Sequence, residues 1–266
     1  MATDTLKPRV LTVAVVLPLF LATLFYLPNR WWGMLMAVLL LVGGNEWSRL
    51  ARFGSFARIM FLAALAAGCG ALVIWPDPEG ERWIYCVSLA FWGVAVPCWL
   101  RLEWRAFPSL LAVAGIIVLL PTWLALVRLQ QTPQLLLILL AVVWIADTMA
   151  FFAGRRYGRR KLAAQISPGK TWEGVVGAFI AVVAYAWLAA GVSWVPGNAV
   201  TTVMGVFGLM AALSIIGDLF ESWLKRVAGV KDSGRLLPGH GGILDRIDGI
   251  TAALPFAALI YVGRVS

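Results

Sequence analysis

The chain has 266 residues, of which 61% are hydrophobic and only 13% charged, with a mean hydropathy of +0.86. A soluble domain carries roughly 25% charged residues, so there is too little polar surface to coat a water-soluble globule. The low charge excludes a disordered chain, and no repeat of about 20–50 residues supports a solenoid. The composition is that of an integral membrane protein, in which the net charge of +9 reports topology and is no nucleic-acid signature.

A membrane-spanning helix needs about 20 predominantly apolar residues. In chain order, charge-free runs occupy 10–29, 31–45 (extendable past Glu46), 59–76, 83–100, 106–127 and 129–146. The run 174–217 is too long for one span and breaks at 192–198, where Pro196 and Gly197 stand, and a last run covers 249–263. The expected fold is an all-α integral membrane protein of about nine transmembrane helices. It forms one polytopic domain over 1–266, with N-terminal helices in 1–150 and catalytic helices and cytoplasmic loops in 151–266. The first run is followed by Leu27-Pro28-Asn29-Arg30 in place of a small-residue cleavage site, which predicts a retained signal anchor. Cys69, Cys86 and Cys98 stand singly in apolar runs, as core or lipid-facing residues and not as disulfide or metal ligands.

The positive-inside rule tests the count. With a cytoplasmic N-terminus, one face collects Lys7 and Arg9; Arg49, Arg52 and Arg58; Arg101 and Arg105; the six basic residues from Arg155 to Lys170; and the five from Lys225 to Arg246. That is 18 of the 22 basic residues, leaving Arg30, Arg82, Arg128 and Arg264 opposite. Two polar stretches, 154–173 and 221–248, fall on the cytoplasmic face, where the chemistry is expected.

At the end of the long eighth span, Asp218, Glu221, Ser222 and Lys225 recur at helical spacing on one face. This is either an Asp–Lys network at the headgroups or a carboxylate for a divalent cation beside a lysine for phosphate. The next segment, Gly229-Val230-Lys231-Asp232-Ser233-Gly234-Arg235-Leu236-Leu237-Pro238-Gly239-His240-Gly241-Gly242, is glycine-rich, and such a backbone can approach an anion with its N–H groups. Asp245 and Asp248 follow at i and i+3. Their oxygens suit Mg²⁺, which takes one or two carboxylates plus substrate phosphates; acids at a helix start also complement the dipole. His240 is the only histidine.

The pattern Ser222-x2-Lys225-Arg226-x4-Lys231-Asp232-x-Gly234-x2-Leu237-Pro238-x-His240-Gly241-Gly242-x2-Asp245-Arg246-x-Asp248 resembles the signature of the phosphatidate cytidylyltransferases, or CDP-diacylglycerol synthases. Two further elements are similar to that family. Ser167-Pro168-Gly169-Lys170-Thr171-Trp172-Glu173-Gly174 resembles its S-P-x-K-T-x-E-G element; a Walker A loop would need glycine where Ala164 stands, and a βαβ context. Ala146-Asp147 resembles its acidic segment, with Phe151 where the family often has tyrosine. The basic run from Arg155 to Lys161 reads mainly as a topological anchor, with a second use in holding anionic lipid.

The resemblance implies a nucleotidyltransferase that turns CTP and phosphatidic acid into CDP-diacylglycerol and pyrophosphate. Both reactants are anions, so catalysis is positioning and charge neutralisation. Mg²⁺ is assigned to Asp218 and Asp245 with Asp248 in its shell, and a second cation is left open. Asp218, Lys225, Asp245 and Asp248 form the expected catalytic set. Lys225, Arg226, Lys231 and Lys170 would neutralise phosphates; Asp147, Ser222, Asp232 and His240 would orient substrate. No covalent nucleophile is needed. Similar family members form dimers, so a homodimer is expected, and the short tails fit a bacterial inner-membrane enzyme with its active site facing the cytoplasm. Two rival lipid-phosphate readings are a CTP-dependent enzyme on another lipid and a CDP-alcohol phosphatidyltransferase, whose D-x2-D-G motif begins like Asp245 to Gly249 but is not continued by Ile250-Thr251-Ala252-Ala253. A transporter is the rival from another class, though no duplicated halves are evident.

Overall fold

The computed structural model describes residues 6–102, 107–192, 199–234, 236 and 241–265. In order these form α1 (Leu6–Tyr26), α2 (Asn29–Leu50), α3 (Ser55–Ile74), α4 (Pro78–Ala90), α5 (Val96–Leu102), α6 (Pro108–Leu129) and α7 (Pro133–Tyr157). A hairpin of β1 (Lys161–Ala163) and β2 (Ser167–Thr171) precedes α8 (Trp172–Ala189), α9 (Val200–Ala228) and α10 (Leu244–Val265). The starts are written in the sequence. Proline opens α4, α6 and α7, where its missing N–H costs nothing. Asp77 accepts from Glu79 N, with Glu79 and Glu81 in the positive first turn of α4. Gly229, at φ 74°, closes α9 in the left-handed conformation.

Each predicted apolar run coincides with a helix. Among the described residues six helical segments are long and apolar enough to cross a membrane: Ser55–Ile74, Pro78–Leu102, Pro108–Leu129, Pro133–Tyr157, Trp172–Ala189 and Val200–Ala228. Helices α1, α2 and α10 fall outside that class, α2 carrying Glu46 and α10 opening with Asp245 and Asp248. Two features were not expected. The rod from Pro78 to Leu102 is wound as a π-helix over Phe91–Ala95, ending two residues before Pro97, which has no N–H to donate to the preceding turn. The polar stretch after α7, expected as loop, contains the antiparallel hairpin, with Lys161 opposite Thr171 and Ala163 opposite Ser167.

Helix α10 is the axis of the bundle, packed by α9, α6, α4, α7 and α2, and every residue from Gly249 to Ala258 is buried. Its small residues let neighbouring backbones approach closely, the usual means of helix association in lipid. The tightest approach to α9 is at Gly217, where an added Cβ would collide with the Asp248 carbonyl oxygen and crowd Ala252. Gly217→Ala is therefore expected to cost about 1–3 kcal/mol by overpacking, lowering the unfolding midpoint in detergent; an unchanged midpoint would show that this contact gives way freely. Below it, Phe220 of α9 is held in a ring cage, with centroids of Trp47, Phe91, Trp92, Trp99 and Trp223 between 5.5 and 6.2 Å away. The cage fixes the rotation of α9 and so the direction of its polar face.

Candidate active site

Four elements bring the signature side chains together. Helix α7 supplies Asp147, β2 supplies Lys170, α9 supplies Asp218, Ser222, Lys225 and Arg226, and the start of α10 supplies Asp245 and Asp248. The hairpin is fixed at both ends. Thr171 caps α8 by accepting from Gly174 N at 3.2 Å, and Glu173 accepts from Arg159 N at 3.0 Å and Arg160 N at 3.2 Å. Arg226 Nε donates to Ile166 O at 3.3 Å, tying the end of α9 to the hairpin turn.

The first cluster lines a cleft of about 500 Å³ walled by Asp147, Lys170 and Asp218 on its polar side and Phe151, Val175 and Ile215 on its apolar side. Lys170 Nζ lies 2.5 Å from Asp218 Oδ2, while Ser222 Oγ donates to Asp218 Oδ1 at 3.3 Å. Asp147, Asp218, Asp248 and Lys170 are electrostatic neighbours. Arg155 and Lys161 stand at the rim.

The second cluster is more deeply buried than the first. Lys225 Nζ donates to Asp245 Oδ1 at 2.7 Å and pairs with Glu221 Oε1 at 3.2 Å. Glu221 is only 6% exposed, and its Oε2 accepts no hydrogen bond. Asp245 Oδ2 accepts from Ser233 N at 2.9 Å, Ser233 Oγ at 3.0 Å and Gly242 N at 2.8 Å. Partial burial works to raise the Asp245 carboxyl, but the Lys225 ammonium and the two backbone N–H groups outweigh it and hold the group below the ordinary carboxylate range.

Of the expected site residues, Asp147, Lys170, Asp218, Ser222 and Asp248 meet in the first cluster and Lys225 and Asp245 in the second. Arg226 is turned to the hairpin, Lys231 and Asp232 are exposed on the loop after α9, and His240 lies outside the described residues. Among the described residues no three His, Cys, Asp or Glu side chains converge as a ready metal cage. The donors nonetheless suit Mg²⁺, which needs only one or two protein carboxylates beside substrate phosphates. Asp218 and Asp245 each carry a lysine ammonium on one oxygen, the charge compensation that a divalent cation would take over.

The glycine-rich loop approaches an anion closely, as its composition leads one to expect. Its described part wraps a carboxylate of the protein itself, Glu46 of α2. Glu46 Oε1 accepts from Ile243 N at 3.1 Å, and Oε2 from Leu244 N at 3.0 Å and Ser233 Oγ at 2.9 Å. Sequence reasoning passed over this residue. Its one signal was a lone carboxylate interrupting an apolar run.

The pattern of the cytidylyltransferase family matches residues 7–263, nearly the whole chain. This chain belongs to that family. It is 38% identical to a phosphatidate cytidylyltransferase of Pseudomonas aeruginosa, across 96% of this chain and 97% of that protein. The Haemophilus influenzae protein of the same name is 32% identical, covering 96% of this chain and 98% of the relative. One from Thermotoga maritima is 31% identical, covering 97% of each. Of the acidic residues in the pattern from Ser222 to Asp248, the two clusters hold Asp245 and Asp248, while Asp232 is exposed on the loop after α9.

Proposed function

We propose that this chain is a nucleotidyltransferase that makes CDP-diacylglycerol and pyrophosphate from CTP and phosphatidic acid. The observation that carries this reading is the meeting of Lys170 and Asp218, from separate sequence motifs, in a cleft with one charged and one apolar wall. A phosphate on a diacylglycerol body needs both walls, and a triphosphate needs the cations.

In the proposed reaction an oxygen of the lipid phosphate forms a bond to the α-phosphorus of CTP. The bond from that phosphorus to the bridging oxygen breaks in line, and pyrophosphate leaves with the electron pair. Both partners are anions, so the protein's task is to hold them in line and neutralise charge. Lys170 and Lys225 neutralise phosphate oxygens as they exchange their carboxylate partners for the nucleotide. Arg155 and Lys161 at the rim guide the lipid phosphate in, with Arg226 and Lys231 at the outer edge. Ser222 holds Asp218 in orientation, Asp147 keeps the nucleotide side polar, and Asp232 and His240 orient substrate from the loop. Asp218 and Asp245 would hold Mg²⁺, with Asp248 in its shell, and a second cation is compatible with the remaining acids. When bound, the metal supplies Lewis-acid neutralisation of phosphate charge. No side chain becomes covalently attached.

We further propose nine spans with both clusters at the cytoplasmic side of a bacterial inner membrane, and a homodimer as the working unit. The 18 basic residues on one face support that orientation. Membranes carrying the protein should release pyrophosphate from CTP only when phosphatidic acid and Mg²⁺ are both present, and a chelator should abolish it. Release without the lipid, or solute flux without turnover, would overturn the assignment.

A further inference from the structure

Glu46 lies near the C-terminal end of α2, in the half of the chain without signature residues, and is 3% exposed. A buried carboxylate in a membrane protein needs several donors. Glu46 has three, two from the segment joining α9 to α10, Ser233 Oγ and Ile243 N, and one from the first residue of α10, Leu244 N. Two glycines of that segment are shaped to it, since a Cβ at Gly234 or Gly242 would collide with the Glu46 carboxyl oxygens. The contact continues inward. Ser233 Oγ sits between Glu46 Oε2 at 2.9 Å and Asp245 Oδ2 at 3.0 Å. It has one proton to share between two acceptors, so the placement of Glu46 governs what Ser233 gives Asp245, which in turn holds Lys225. A few residues on, the Arg52 guanidinium reaches Val227 O and Ala228 O at 3.4 and 3.3 Å, at the other edge of the same segment.

We infer that Glu46 is a positioning residue for cytidylyl transfer, the internal anion that gathers Ser233, Gly234 and the Gly242–Leu244 turn, and through which Ser233, Asp245 and Lys225 are set. This rests on the proposed function. Glu46 touches no substrate in this role and acts through Ser233 and the first turn of α10. A purely structural cap would affect how much protein folds, whereas a positioning residue affects the turnover of each folded molecule.

Glu46→Gln keeps the volume but turns an amide –NH₂ toward N–H donors. In full-length protein assayed in mixed micelles of detergent and phosphatidic acid, kcat should fall about 10–100-fold, the usual effect of losing a supporting partner. The KM for phosphatidic acid should stay within about twofold, and Glu46→Asp should recover part of kcat. Adding Ser233→Ala to Glu46→Gln should cost little more than Glu46→Gln alone, because the two act through one link. The inference is overturned if Glu46→Gln retains wild-type kcat, or if its loss of activity equals the loss of folded protein measured by size-exclusion fluorescence. Should Glu46→Gln fail to fold, Ser233→Ala decides: a reduced kcat per folded molecule supports the inference, and a wild-type kcat overturns it. Failure of the underlying reading looks different, since the wild-type protein would then release no pyrophosphate from CTP and phosphatidic acid.

Discussion

Asparagine at position 245 should lower cytidylyl transfer by about 100-fold or more while leaving the protein folded and inserted. The two oxygens of Asp245 do different work: Oδ1 accepts from Lys225 at 2.7 Å, and Oδ2 accepts from Ser233 N, Ser233 Oγ and Gly242 N. An asparagine retains one acceptor. If its carbonyl keeps the backbone donors, its –NH₂ faces the Lys225 ammonium, donor against donor. Removing one partner of a buried ion pair can cost about 3–5 kcal/mol, but Glu221 remains beside Lys225 at 3.2 Å and limits the loss of stability. The same rescue removes the lysine from service. Drawn to Glu221, it no longer lies between the two carboxylates, and a group that stabilises transition-state charge typically contributes about 10²–10³ in rate. The check is pyrophosphate release per folded molecule, with folding followed by the detergent unfolding midpoint. Wild-type turnover in this variant would remove Asp245 from the metal and lysine scheme.

The fold was largely legible because lipid imposes a simple grammar. Backbone groups in hydrocarbon must be satisfied within the segment, so charge-free runs become helices, and each run from 10–29 to 249–263 coincides with one. The π-turn before Pro97 was not legible from apolar content, because a changed helical pitch leaves composition untouched. Nor was β2, which contains Pro168 and Gly169, residues depleted in strands, and whose strand geometry depends on pairing with β1.

The site was legible where its residues share a helix. The i, i+4 and i+7 spacing of Asp218, Ser222 and Lys225 gives an observed Ser222–Asp218 hydrogen bond, and Glu221 pairs with Lys225 at i+4. It was less legible between helices. Asp245 and Asp248, three residues apart, read as one metal face; Asp245 is held by Lys225 and the loop, while Asp248 is an electrostatic neighbour of Asp218 and Asp147 in the first cluster and of Glu221 in the second. Glu46 is the extreme case, meeting Ile243 and Leu244 across 197 and 198 positions of sequence. The glycines announced that an anion would be approached closely, but nothing in their order could say that the anion belonged to α2.

Lys170→Met should lower kcat/KM for CTP by about 10²–10³-fold, or about 2.7–4 kcal/mol of transition-state stabilisation. At the same time it should reduce the Mg²⁺ concentration needed for half-maximal activity. The two effects oppose each other for one reason. Lys170 Nζ sits 2.5 Å from Asp218 and neighbours Asp147 and Asp248, so its charge now competes with any cation those acids would hold. Methionine keeps the apolar stem and deletes the charge, which strengthens the local negative field for Mg²⁺ while removing the group proposed to meet the phosphates. Lys170→Arg should restore only part of the rate, because a broad planar guanidinium replaces a compact point charge. A lysine that merely braced the hairpin would move neither the Mg²⁺ requirement nor the CTP dependence in this paired fashion. Retention of kcat/KM within about threefold would remove Lys170 from the phosphate site; a loss of rate with an unchanged Mg²⁺ requirement would separate Lys170 from the metal-binding acids and leave Asp218 to be tested alone.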